Sequence, residues 1–179
     1  MKKIVIAALV SAFAAAPAIA ADTGLYLGAK FGSVNYGYGN VYNNSQAGYG
    51  LLGGYAINDY FAVEAEYNRL GGFDTVNSII KGRSFGFSGV GSLPMSPEFS
   101  LFGKMGITSS SLEDSPQPGA PSGIYTYTNT GLSIGFGGQF NVNEAFGIRF
   151  GFESYPVGDA AINTTSNASM LYIGSIFKF

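Results

Sequence analysis

Leu171-Tyr172-Ile173-Gly174-Ser175-Ile176-Phe177-Lys178-Phe179 is the stretch whose reading decides the fold. Counted back in twos from the last residue, one set is Phe179, Phe177, Ser175, Ile173 and Leu171, and the other is Lys178, Ile176, Gly174 and Tyr172. An extended strand sends these two sets to opposite faces. One face is large and apolar except at Ser175; the other is mixed. A soluble chain rarely leaves such a strand as a frayed terminus. A closed transmembrane barrel uses it, because the last strand pairs with the first and no open edge is left in lipid.

The same alternation runs through the chain. Strands are expected over about Thr23–Ser33, Ala47–Ile57, Tyr60–Leu70, Ile79–Ser92, Phe99–Thr108, Tyr125–Phe140 and Ala145–Tyr155, with an eighth at the end. Tyr60–Leu70 is the clearest: Phe61, Val63, Ala65 and Tyr67 oppose Ala62, Glu64, Glu66 and Asn68. The phase of the fourth strand is ambiguous towards Val90. Asn58-Asp59, the segment Pro94 to Pro97, and Asn141 to Glu144 read as short turns, with Pro94 and Pro97 excluded from any strand. The segments 35–46, 71–78, 109–124 and 156–167 read as longer loops. Roughly 10 residues per strand, at about 3.3 Å each and tilted by about 40°, rise about 25 Å, the height of an outer-membrane apolar band. The expected architecture is all-β: an eight-stranded antiparallel up-and-down transmembrane β-barrel with long loops at one end and short turns at the other.

Composition supports this class. Charged residues make up only 11 % of 179, about half the usual share, while Gly reaches 27. No stretch after the first twenty residues is long and apolar enough for a membrane helix, so the apolarity is spread as alternation, as a barrel requires. Residues 1–20 read as a cleavable signal peptide: Lys2 and Lys3, an apolar run from Ile4 to Ala16, and Ala18-Ile19-Ala20 as the cleavage site. The barrel domain is then 21–179. Without Lys2 and Lys3, seven Lys and Arg face eleven Asp and Glu, a net charge of −4 that offers nothing to nucleic acid. Cys and His are both absent, which removes disulfides, thiol nucleophiles, His-based triads and His-ligated metals. No catalytic, metal or cofactor site is expected. Gly48-Tyr49-Gly50-Leu51-Leu52-Gly53 matches GxGxxG, but inside a strand with no βαβ context.

The inward phase gathers Lys30, Glu64, Glu66, Lys104, Arg149, Glu153 and Lys178, four positive and three negative charges. Eight strands leave a lumen just wide enough for side chains, so these groups are expected to pair across it, with Lys104 reaching Glu64 or Glu66. A static plug and a narrow gate are the two readings of such a network. The outward phase places Arg69, Lys81 and Arg83 together at the loop ends of the third and fourth strands, where Arg suits lipopolysaccharide phosphate. Tyr36, Tyr38, Tyr42, Tyr125 and Tyr127 are expected in loops, a composition suited to recognition, with Tyr125 and Tyr127 in an outer aromatic belt.

Asn58-Asp59-Tyr60-Phe61-Ala62-Val63-Glu64-Ala65-Glu66-Tyr67, Gly24-Leu25-Tyr26-Leu27-Gly28-Ala29-Lys30, Phe102-Gly103-Lys104 and the final Phe179 resemble the small eight-stranded outer-membrane barrel family, which includes the membrane domain of outer membrane protein A. Leu171, Ile173, Phe177 and Phe179 resemble that family's C-terminal assembly signal. The resemblance implies the outer membrane of a Gram-negative bacterium, insertion by the barrel-assembly machinery, and contact with outer-membrane lipids and lipopolysaccharide. It also implies a non-enzymatic envelope or adhesin-like role with at most a narrow gated pore, and a host or surface ligand bound through the loops. The rivals are a soluble exported lipocalin-like barrel for an apolar ligand, whose apolar face would point inward, and a small outer-membrane barrel enzyme.

Overall fold

The computed structural model describes residues 23–36, 45–74, 78–116, 125–159 and 164–179. The predicted signal segment and loop residues Tyr38 and Tyr42 lie outside these residues. Eight strands follow in order: β1 (Gly24–Tyr36), β2 (Gln46–Ala56), β3 (Phe61–Asp74), β4 (Ser78–Pro94), β5 (Phe99–Pro116), β6 (Tyr125–Asn141), β7 (Phe146–Asp159) and β8 (Thr164–Lys178). Each pairs antiparallel with the next, and β8 pairs with β1 to close the barrel.

The register fixes the barrel's dimensions. One circuit of paired residues runs Leu25, Tyr55, Val63, Gly89, Met105, Ile134, Ser154, Ser169 and back to β1 at Asn35, a stagger of ten residues. Eight strands about 4.8 Å apart, with about 3.3 Å of rise per residue, then tilt by about 40° around a backbone radius of about 8 Å.

The apolar set faces out. Phe31, Leu51, Phe87, Ile107, Phe136 and Leu171 are each at least 60 % exposed, whereas Lys30, Glu64, Glu66 and Glu153 are at most 3 % exposed. This sorting rules out the lipocalin-like rival, in which the apolar face lines the cavity. The belt ends at one level all round. Going up each strand, the outward residue changes from Phe31 to Ser33, Tyr49 to Ala47, Tyr67 to Arg69, Phe85 to Arg83, Ile107 to Ser109, Leu132 to Thr130, Phe152 to Ser154, and Leu171 to Ser169. With about 2.5 Å of axial rise per residue, the belt between this ring and Leu25, Phe61, Leu101 and Phe177 is roughly 20–25 Å tall. That is the band expected of a transmembrane barrel.

Three short turns close the lower end by one device. Asn58 Oδ1 accepts from the backbone N–H of Tyr60 and Phe61, Asn143 Oδ1 from those of Ala145 and Phe146, and Ser96 Oγ from that of Phe99. Short polar side chains that mimic a backbone turn are favoured there for this reason. The terminal strand is tied in by the N–H of Phe179 donating to the carbonyl of Leu25 at 2.9 Å.

The upper end departs from expectation. Segments read as loops are paired strand: β5 continues through Pro116 and β7 through Pro156 to Asp159, while β3 reaches Asp74. Ser109 and Ser111 suggested a loop because they leave the apolar belt, but they still pair with Thr130 and Thr128 of β6. Ser111 and Thr128 share a hydrogen bond of 3.1 Å, and Thr130 donates to Ser109 at 3.0 Å. Pro156 is tolerated because the pairing of β6 with β7 ends at Ile134–Ser154, below it. Pro94 is the last residue of β4 rather than part of the turn alone. Val90 points inward and is buried, which settles the phase of the fourth strand.

The belt boundary predicts a labelling pattern. The chain has no Cys, so single substitutions report one site each. On intact cells, a membrane-impermeant maleimide is expected to label Thr128→Cys and to leave Ile134→Cys, six residues lower on the same face of β6, unlabelled. Equal labelling of the two would contradict the boundary.

Candidate functional site

The lumen is the most constrained region of the molecule. Its charges come from alternate strands: Lys30 from β1, Glu64 and Glu66 from β3, Lys104 from β5, Arg149 and Glu153 from β7. Between them, β2, β6 and β8 contribute Gly50, Gly135 and Gly174. The glycines make the room. A Cβ at Gly135 would meet Glu153 Cγ at 2.7 Å and Lys104 Cγ at 3.0 Å, and one at Gly50 would meet Asn68 Oδ1 at 2.1 Å.

Lys104 is the hub. Its Nζ lies 2.8 Å from Glu66 Oε2, 3.0 Å from Glu153 Oε1 and 3.4 Å from Glu64 Oε2. Lys30 Nζ donates to Glu66 Oε2 at 2.7 Å, to Glu153 Oε2, and to Tyr155 Oη at 3.0 Å. Arg149 Nη1 pairs with Glu64 Oε1 at 2.5 Å, and its Nε and Nη2 donate to Gln139 Oε1. Tyr26 Oη donates to Glu64 Oε1 at 2.8 Å, and Tyr155 Oη donates to Glu153. Three cations thus meet three carboxylates. Aromatic faces complete the cage: Arg149 Cζ sits 4.8 Å from the Phe102 centroid and Lys30 Nζ 5.0 Å from that of Tyr172.

Six of the seven inward charges read from the sequence therefore form one network. Lys178 does not join it. It lies in the same phase but near the lower mouth, half-buried, in a polar vestibule of about 260 Å³ that it shares with Asp59, Gln139, Asn141 and Arg149. Among the described residues no ion pair links it to the cluster. Tyr26, Gln139 and Tyr155 are the partners the sequence reading missed; their inward phase was the available signal.

Above the cluster the lumen is lined by buried polar residues on β3 to β6, Asn68, Ser84, Thr108, Ser110, Asn129 and Ser133, and by an apolar group beside them. Val34, Leu70, Leu112, Tyr155, Val157, Ala168 and Met170 pack together in the upper barrel, all buried. Tyr36 and Tyr127 pack against this cap, and Tyr36 Oη donates to the carbonyl of Leu70 at 2.9 Å. Tyr127 was expected in the outer aromatic belt and turns inward instead, because it shares the phase of Asn129 and Ser133 on the lumen side of β6. The side chain of Tyr125 lies outside the described residues.

The second candidate site is outward. Arg69 and Arg83 are direct cross-strand partners on β3 and β4, Lys81 follows two residues further along β4, and all three are exposed. Lys81 has Glu113 opposite it on β5, whereas Arg83 faces Ser111. Among the described residues, none of the three cations forms an ion pair. Arg69 and Arg83 sit one step above Tyr67 and Phe85, at the upper edge of the belt.

The outer membrane protein beta-barrel domain model matches residues 5–179. The chain belongs to that family. It is thus a small eight-stranded barrel of the bacterial outer membrane, with outer-membrane lipid against its belt. Among solved structures, Neisserial surface protein A is 18 % identical with a TM-score of 0.73, the match covering 87 % of this chain and 97 % of that one. Ail of Yersinia pestis, in complex with the heparin analogue sucrose octasulfate, is 18 % identical with a TM-score of 0.63, covering 89 % and 100 %. OprG from Pseudomonas aeruginosa is 13 % identical with a TM-score of 0.59, covering 90 % and 100 %. At these identities the likeness is one of fold. No curated protein matches the chain by sequence.

The buried cluster predicts a strong asymmetry between single and paired changes. Lys104→Met leaves three carboxylates with two cations in a closed lumen, and removing one partner of a buried pair costs about 3–5 kcal/mol. The variant is expected to unfold at markedly lower urea in liposomes. Lys104→Met with Glu66→Gln restores charge balance and is expected to recover a large part of the loss. A single variant as stable as the parent would show that the cluster is not closed to water.

Proposed function

We propose that this barrel is a non-enzymatic, sealed component of the outer membrane that works through its outward and extracellular surfaces. The observation that carries the reading is the filling of the lumen. A neutral ion cluster occupies its middle, and buried apolar and hydroxyl or amide side chains fill its upper part, while the cationic surface lies outside, above the belt. An ion crossing the lumen would have to break charge-assisted hydrogen bonds and then pass between the buried, tightly packed side chains of the upper lumen, each costly in a low-dielectric interior. Gating by partner exchange within the cluster would therefore not suffice. The absence of His and Cys from the sequence supports the non-enzymatic part of the reading.

Arg69, Lys81 and Arg83 are the residues we assign to lipopolysaccharide. Two arginines directly opposite one another repel and destabilise the sheet unless an anion sits between them. At the top of the belt the anions on offer are the phosphates of the outer leaflet, and guanidinium forks match phosphate oxygens. Beside them, Ser109, Ser111, Thr126, Thr128 and Thr130 extend β5 and β6 above the membrane as a hydroxyl-rich wall suited to sugars. The similar barrel Ail was solved with a sulfated sugar, which supports an adhesin-like use of such a surface. The loops that would carry a host or surface ligand lie outside the described residues. Leu171, Ile173 and Phe177 lie on the outward face of β8 and Phe179 follows its end, and we assign the four to recognition by the barrel-assembly machinery, after export directed by residues 1–20.

Two measurements test this. Arg69→Gln, Lys81→Gln and Arg83→Gln combined are expected to abolish co-purification of lipopolysaccharide while the heat-modifiable migration of a closed barrel persists. Unchanged co-purification would remove the assignment. In planar bilayers the parent protein is expected to give no conductance steps. Regular steps would restore the pore reading.

A further inference from the structure

Below the cation pair, the lipid-facing surface is not smooth. Leu27, Gly53, Ala65 and Phe87 are successive register partners across β1 to β4, and small residues stand at the two central positions. With Gly89 and Ile107 they line an open apolar groove of about 980 Å³. Gly53 and Ala65 lie on the same strands as Tyr49 and Arg69, four residues lower. At about 2.5 Å of axial rise per residue, the groove begins roughly 10 Å beneath the guanidinium groups. That is the depth of the outer leaflet's hydrocarbon. The strand tilt carries Gly53 back under Arg83, so head site and groove are stacked along the membrane normal. Both features share an occupant only if that occupant is anionic at the top and apolar below.

We propose that the groove over Gly53 and Ala65 seats one acyl chain of a phosphorylated, multiply acylated outer-leaflet lipid whose phosphates lie on Arg69 and Arg83. This rests on the phosphate assignment above and adds the chain. In hydrocarbon there is no water to expel, so the seat acts through close packing alone, and shape is what selects the chain. A second groove, over Gly91 and Gly103 and rimmed by Tyr60, Phe61, Leu93 and Leu101, is near the lower end of the belt with no cation above it. It serves as the internal control.

The test is a native mass spectrometry titration of the detergent-solubilised barrel. The probes are diphosphoryl lipid A and its fully deacylated disaccharide bisphosphate. Ala65→Leu fills the groove from an outward position. Gly53→Leu does so independently, its new Cβ meeting only the end of the Leu27 side chain at 3.2 Å. Gly103→Leu, whose Cβ meets nothing within 4 Å, fills the control groove. Ala65→Leu and Gly53→Leu are expected to weaken lipid A binding at least threefold and to leave the bisphosphate unchanged. Gly103→Leu is expected to change neither, and Arg69→Gln with Arg83→Gln to weaken both. If Ala65→Leu and Gly53→Leu behave like Gly103→Leu, the acyl seat is overturned while the phosphate site stands. If the arginine double variant changes neither probe, the phosphate site falls and the seat with it.

Discussion

A lumen about 8 Å in backbone radius admits side chains and almost nothing else, and the rest of this structure follows from that confinement. The exterior is committed to lipid, so the polar residues of every strand must turn in, and once inside they must satisfy each other. Long side chains from all eight strands would not fit. The six charged ones are supplied by β1, β3, β5 and β7, beside Gly50, Gly135 and Gly174 on strands between, so glycine at those three positions is a packing requirement of the charged layer. Lys104 reaches all three carboxylates only because Gly135, beside it on β6, has no side chain.

The charged layer also fixes which way the strands face. A strand slipped by one residue exchanges its two faces. For β1, β5 and β7 the slip would place Lys30, Lys104 or Arg149 in the hydrocarbon, where each costs about 2–4 kcal/mol near the midplane. A lumen filled by apolar residues would carry no such penalty, and register would rest on the turns alone. The cluster is thus better understood as a specification of register and of inside against outside than as a source of net stability, since its desolvation offsets much of its attraction.

Most of the architecture was legible in the sequence because alternation against lipid is a two-sided signal: large and apolar on one face, small or charged on the other. The strand count, the closing strand, the belt and six of the seven lumen charges follow from it. What it left unread lies above the membrane, where lipid no longer sorts the outer face. There Ser109 and Ser111 look like loop by composition, yet the ladder continues because the inner face still packs on Leu112, Tyr127 and Val157. Tyr127 was misplaced for the same reason, its phase being read from its neighbours' polarity instead of from the strand below. Lys178 shows the opposite failure: phase alone placed it in the network, but its height, at the barrel mouth, keeps it in the vestibule.

Fold stability does not account for Arg69 opposite Arg83. Among the described residues, the six charges of the lumen cluster find counter-charges and these two arginines do not. This pair sits where lipid meets water, in the geometry least favourable for two like charges on a sheet, and lysine or glutamine would satisfy the same position without the rigid fork. A neutral pair such as the Ser111–Thr128 bond on the adjoining strands shows what the fold itself would settle for. We read two guanidinium groups at that height as a site for an anion from outside the chain, and the outer leaflet presents phosphate at that level.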